Sequence, residues 1–352
     1  MSEIRWEQGT AYDFFISLFV LHHPDLFGLR ASWAAGVRSR IPLHERQFLE
    51  DTLEFLPAPL IWLNSLDVES KDAATVLEQL VLIPAESRLI TLFKNQEFTP
   101  EVGSTIQKIR TNREVEKEDL NSLRLMFQKR MLPIKPKAIE KLAKAFINAE
   151  LFGEQLLASY QAYYEVFFKE EEIRIRPYIE NGLLESQKIA ETLSLSDLFF
   201  ELSKGVSIDS LEVMDGLWLV PSYWSSPLIF LIAPRQNEKL MVFGCRSEDQ
   251  NLIPGEYVPD ALMNMLKALS DSTRFRIVRY LQEEPETPSS LAKKLRLRAP
   301  TVIHHLNIMR LAGLVQVKIT ADGERSYALH EQAINSITQQ IDSYFNKKPG
   351  KI

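Results

Sequence analysis

With 352 residues, 45% of them hydrophobic and 25% charged, the chain has the composition of a globular protein with material for two or three domains. A single cysteine, Cys245, excludes an internal disulfide framework and a cysteine-clustered zinc site, and the longest apolar run, residues 14–21, is far too short to cross a membrane. The net charge of −6 divides unevenly: residues 258–352 hold 14 Lys+Arg against 9 Asp+Glu, a net of +5, so residues 1–257 carry −11. A basic tail on an acidic body is the distribution expected when one part of a chain meets phosphate. The opening "MSEIRWEQGT" lacks the basic start and apolar run of a signal peptide, so a cytoplasmic location is expected.

The first two hundred residues read as successive helices. Thr10 and Asp13 have capping-box spacing ahead of "FFISLFVL". Pro42, Pro84, Pro100 and Pro136 each stand where proline opens a helix at its first turn. Between residues 136 and about 192, Leu142, Phe146, Ala149, Gly153, Leu156, Tyr160, Tyr163 and Phe167 recur at steps of four and three. That seam suits one long helix packed lengthwise on a partner. Ile147, Leu151, Leu157, Tyr164 and Phe168 widen it, favouring a bundle spine within a subunit over a coiled coil between subunits. Pro177 is expected to kink or end the helix.

From about residue 207 to 245 the pattern changes to short apolar runs, "LWLVPS", "PLIFLIA" and "KLMVFGC", which read as a small antiparallel sheet. "EDQNLIPGEYVP" then has the breakers of a linker. The expected division is a helical body over residues 1–253, a second domain over 254–346 and a tail over 347–352.

In that second domain, "DALMNMLKALS" puts Leu262, Met265, Leu266 and Leu269 on one helical face. "DSTRFRIVRYLQEE" follows, with Asp271 as cap and Phe275, Ile277, Val278 and Leu281 apolar. "TPSSLAKKLRL" is a short helix capped by Thr287 with Pro288 in its first turn. A further helix covers residues 299–312, and Gly313 stands at the usual C-terminal glycine position. "LVQVKIT" and "RSYAL" flank Asp322-Gly323 as a hairpin, and a closing helix carries Ile334, Ile337, Ile341 and Tyr344. The expected fold class is mainly α: an N-terminal helical domain with a small antiparallel β-sheet, then a C-terminal winged helix-turn-helix.

"LKALSDSTRFRIVRYL" and "LAKKLRLRAPTVIHHLNIMRLAGLV" closely resemble the ArsR family of bacterial winged-helix transcriptional regulators over about ninety residues. The resemblance implies the winged-helix fold, a homodimer and binding to a double-stranded DNA operator. "AYDFFISLFVLHHPDLFGLRASW" and "WLVPSYWSSP" carry a weaker likeness to longer ArsR-type regulators with an additional N-terminal domain of unassigned function. The chain departs from the family pattern at Arg298, where many members have a capping serine, and at Ala299 and Ile303, usually polar. The paired cysteines of the family's metal sensors are replaced by "SSLAKKL", so no metal or other cofactor is expected.

Helical periodicity sets Val302, Leu306 and Met309 on the buried face of the recognition helix and turns Thr301, His304, Asn307 and Ile308 outward. Residues on the N-terminal half of such a helix reach base edges in the major groove. The expected DNA contacts are Thr301, Ile303, His304, His305 and Asn307, with Ser289, Ser290, Lys293, Lys294 and Arg298 before or at the helix start and Lys318 and Arg325 on the wing. Adjacent histidines on a helix diverge by about 100°, which disfavours a shared metal ion. Leu262, Met265 and Leu269 with Ile334, Ile337 and Ile341 are the expected dimer seam, the alternative being that they close the chain's own core.

The acidic body is expected to sense or to organise the dimer. Trp33, Trp62, Trp218 and Trp224 are candidates to line a site for a small apolar effector, and His22, His23 and His44 for a metal, with core packing as the competing reading. No phosphate loop, nucleophile elbow or dinucleotide fingerprint occurs in residues 1–257, so no catalytic residue is assigned and the chain is not expected to be an enzyme. An enzyme or a scaffold carrying a winged-helix tail is the alternative.

Overall fold

The computed structural model describes residues 3–93, 98–127, 134–209, 211, 214–235, 237–247, 250–253, 260–320 and 323–346, without the side chains of Ser336 and Ser343. Much of the expected linker, the first half of the wing turn and the tail over residues 347–352 lie outside them. Strand β1 (Glu3–Trp6) leads into helix α1 (Thr10–His22), which is buried on nearly every side and forms the axis of the body. The expected capping box is not made. Gly9 is the N-cap, without a side-chain bond. Thr10 instead donates to Glu172, and Asp13 accepts from the Ser222 hydroxyl at 2.8 Å and the Trp224 N–H at 2.7 Å. Burial on all sides leaves these polar groups only tertiary partners.

Helices α2 (Ala31–Arg38), α3 (Leu43–Leu53), α4 (Leu60–Ser65), α5 (Ala73–Leu82), α6 (Ala85–Phe93), α7 (Pro100–Asn112), α8 (Lys117–Leu125), α9 (Pro136–Ile147), α10 (Ala149–Tyr163), α11 (Lys169–Ala190) and α12 (Leu195–Leu202) build the rest of the body. Pro100 and Pro136 open their helices; Pro42 and Pro84 stand one residue ahead of theirs. The expected single helix over residues 136–192 is divided. Asn148, at φ −112° and ψ 47°, separates α9 from α10, and a π-helical turn at Tyr164–Phe168 joins α10 to α11. The break leaves Leu151 62% exposed, so it does not widen the apolar seam. Pro177 lies inside α11, which continues to Ala190. The seam finds its partners in this chain: α10 packs on α6 and α3. Contact there is close enough that a Cβ on Gly153 would lie 1.8 Å from the Ala85 carbonyl oxygen.

The three apolar runs are strands β3 (Gly216–Ser222), β4 (Phe230–Ile232) and β5 (Glu238–Gly244), but the sheet is mixed, not antiparallel throughout. Its order is β1-β3-β5-β4, with β1–β3 and β3–β5 parallel and only β4–β5 antiparallel. Two-sided burial accounts for the continuous apolar character of β3 and β5. Val220, Leu240 and Val242 join the core around α1, while Leu217, Leu219, Met241 and Phe243 join a second core on the opposite face.

That second core is shared. It unites α12, strand β2 (Val206–Ile208) and the far side of the sheet with the C-terminal elements α13 (Asp260–Leu269), α14 (Ser272–Leu281), α15 (Pro288–Leu295), α16 (Ala299–Leu311), β6 (Val315–Ile319) and β7 (Arg325–Leu329). Helix α17 (Glu331–Asn346) closes the chain and packs on α13. The hairpin β6–β7 is antiparallel as expected, and β2 adds a third, parallel strand along β6. Among the described residues no helix is long and apolar enough to cross a membrane.

Candidate nucleic-acid interface

Asp271 caps α14 by accepting from the Arg274 N–H at 2.9 Å, and Thr287 caps α15 by accepting from the Ser290 N–H at 3.2 Å. Arg296, in the left-handed region at φ 59°, ends α15 and turns the chain toward α16. Helix α16 begins after Arg298, which makes no side-chain cap bond. It ends in a Schellman motif: the Leu314 N–H donates to the Met309 carbonyl, the Gly313 N–H to that of Arg310, and Gly313 takes φ 70°.

Val302, Leu306 and Met309 are fully buried, anchoring α16 in the shared core as the 3.6-residue period requires. Thr301, Ile303 and His304 are exposed and Asn307 is half-buried. His305 is half-buried on the flank, its Nδ1 3.9 Å from Asp271 Oδ1. Burial holds the His305 pKa below the ordinary imidazole value, against the pull of Asp271. The two histidine rings stand 6.0 Å apart and diverge.

The flanking set is not uniform. Ser289, Lys293, Arg298 and Arg325 are exposed, and Ser290 is half-buried. Lys294 is committed within the chain: it is bonded to the buried Glu286, lies 3.6 Å from Glu284 and sits 5.6 Å from the Tyr280 ring. Lys318 pairs with Asp209, just past β2, at 3.2 Å. Arg296, exposed between the two helices, was not among the expected contacts; its signal was a basic residue inside the turn of a helix-turn-helix.

Residues 271–317 match the bacterial regulatory protein, arsR family. The matched segment runs from the cap of α14 to the middle of β6. A solved structure described as the crystal structure of an ArsR family transcriptional regulator is similar at 21% identity, covering 25% of this chain and 99% of its own, with a TM-score of 0.22. No curated protein matches. The ArsR-type segment thus contains α14, α15 and α16, and in this chain it is fused to a body that completes its core.

The expected seam of the ArsR-type module is only partly uncovered. Leu262 and Met265 are buried within the chain itself, Met265 in the core shared with the body, and α13 packs on α14, α16 and α17. Leu269, Ile334, Ile337 and Ile341 are half-buried, while Leu266, Phe275 and Phe345 expose 40%, 61% and 78% of their surface. In the body, Trp62 and Trp224 are buried in the core and Trp33 packs against it, stacked on Trp224 at 6.3 Å. Trp218 lies apart, beneath the Arg5 guanidinium. His22 bonds the Leu18 carbonyl, His23 packs on Phe19 and His44 is exposed on α3. Among the described residues no group of three or more His, Cys, Asp or Glu is placed to hold a metal ion.

Proposed function

We propose that the chain is a cytoplasmic, sequence-specific regulator of transcription that binds double-stranded DNA as a homodimer. One observation carries the reading: the outer face of α16, with Thr301, Ile303 and His304, is left uncovered by an otherwise extensive contact between body and module. Thr301 and His304 supply hydrogen bonds to base edges, Ile303 an apolar contact for a thymine methyl, and Asn307 a second polar contact further along. Arg296, Arg298, Lys293, Ser289 and Ser290 hold the phosphates on either side, with Lys318 and Arg325 doing so from the wing. His305 bonds a phosphate or backbone group, since its ring lies on the flank.

The division into body (1–253) and reading module (254–346) is functional on this proposal, not a division of cores. The acidic body stays off the duplex by charge repulsion, which orients the module toward it. Leu269, Ile334, Ile337 and Ile341, joined by the exposed Leu266, Phe275 and Phe345, form the seam with a second copy. Selection of bound fragments from random duplex DNA by the whole protein tests the reading. A common motif with two related half-sites is expected; a pool that stays random after repeated rounds at low salt overturns it.

A further inference from the structure

A cleft of about 760 Å³ lies where the body meets the ArsR-type module, within the size range of small-molecule sites. Leu228 and Ile229 line it from the body, and Met265, Ala312 and Leu329 from the module. Three amide side chains share the wall: Gln250 near the end of the body, Asn264 on α13 and Gln316 on β6. All three are half-buried, and their amides make no hydrogen bond among the described residues. The inner charges, in contrast, are committed elsewhere. Arg246, with only 7% of its side chain exposed, donates to Asp260 Oδ2 at 3.1 Å and to the Ser226 carbonyl at 3.4 Å, and stands 5.8 Å from the centre of the Tyr223 ring. The groups that act on Arg310 are Tyr327 and Arg325, and neither lines the cleft. His330 is bonded to the Gly313 carbonyl at 3.0 Å. Glu201, Lys204 and Glu331 are exposed at the rim, where water and salt screen them. An ionised ligand would lose its hydration in the cleft without gaining a free counter-charge.

We propose that this cleft binds a neutral amphipathic amide, its apolar part against the aliphatic side chains and its polar group hydrogen-bonded by amides of the wall. A side-chain amide donates and accepts at once, which matches an uncharged amide and not a carboxylate, an acceptor only. The site also touches both devices that position the reading surface. Arg310 and Leu311 are the last residues of α16, and Gly205, whose carbonyl accepts from the Val317 N–H at 3.0 Å, leads into the pairing of β2 with β6. A bound amide therefore bears on the recognition helix and on the strand that ties the wing to the body. Binding of the amide stands by itself; its effect on DNA affinity rests on the proposed function.

Calorimetric titration of the full chain with octanamide and naphthylacetamide, and with the carboxylate of each, tests the site. Saturable binding of at least one amide, about tenfold or more tighter than its carboxylate, is expected. At least one of Gln250→Leu, Asn264→Leu and Gln316→Leu, which keep the bulk and remove the hydrogen-bonding group, should weaken that binding about tenfold. Ile229→Trp, which fills the cleft, should remove it while far-UV circular dichroism stays unchanged. No saturation by either amide, a carboxylate bound as tightly as its amide, full binding in all three leucine variants, or full binding in folded Ile229→Trp overturns the site. Fluorescence anisotropy with a selected duplex reads the coupling: the amide should shift DNA affinity in the wild type but not in Ile229→Trp. An amide that binds without moving DNA affinity overturns the coupling alone, and a chain that binds no DNA overturns the proposed function while the titration still reports on the cleft.

Discussion

Lys293 and Lys294 are chain neighbours with different environments. Lys293 is free to meet a phosphate, whereas Lys294 neutralises Glu286, which is 5% exposed and held by backbone bonds to Tyr327. Lys293→Ala should weaken binding to all sequences about equally and reduce the slope of log affinity against log salt by about one. Lys294→Ala should lower the melting temperature instead, because a buried carboxylate loses its cation; salt titrations and thermal melts of both variants check the contrast. Equal behaviour of the two would contradict it. The inward set Val302, Leu306 and Met309 was legible because it depends only on helical period. The role of Lys294 was not, since its partners lie eight and ten residues back, beyond a turn and a bridge to β7 that tertiary structure sets.

Element by element, capping makes a sharp distinction. α14 and α15 have side-chain caps and α16 does not, so Asp271→Ala should cost about 1 kcal/mol in a denaturant titration. Helix α1 predicts a pH signature. Burial pushes the Asp13 carboxyl up to about 7, against the hydrogen bonds from Trp224 and Ser222, and pushes the His22 imidazole down to about 4. With its pKa raised on folding, Asp13 contributes stability below the ordinary carboxylate value that is lost as pH rises toward 7. With its pKa lowered, His22 contributes stability above the ordinary imidazole value that is lost as pH falls toward 4. Urea midpoints measured between these limits should therefore rise more steeply with pH in Asp13→Asn than in the wild type, and less steeply in His22→Gln. Slopes that move together in the two variants would exclude the assignment. The strands themselves were readable from apolar runs, but their pairing was not: β5 stands between β3 and β4 and runs parallel to β3, β1 joins the far side of β3 from the N-terminus, and β4 retains only three residues.

Across the whole molecule, the body and the ArsR-type module are distinct in charge but continuous in packing. The sheet carries a core on each face, and β2 extends the wing sheet of a module that begins about fifty residues later. A chain shortened to residues 258–352 should accordingly melt at a lower temperature and less cooperatively than the full protein, as seen by calorimetry, because the shared core loses its body half and β6 loses its pairing with β2. Breaker residues place a division near residue 253, but such residues mark where the chain turns and carry no information about which cores are shared. What remained readable at this scale was the charge asymmetry and the order of elements, both properties of the linear sequence.

The central claim is that α16 reads bases through Thr301 and His304. Sequences selected from random duplexes by the wild type and by a Thr301→Ala/His304→Ala variant, each verified as folded by circular dichroism, give the most direct comparison. The account predicts a defined motif for the wild type and relaxed base preference at positions within each half-site for the variant; an unchanged motif in the variant would contradict it.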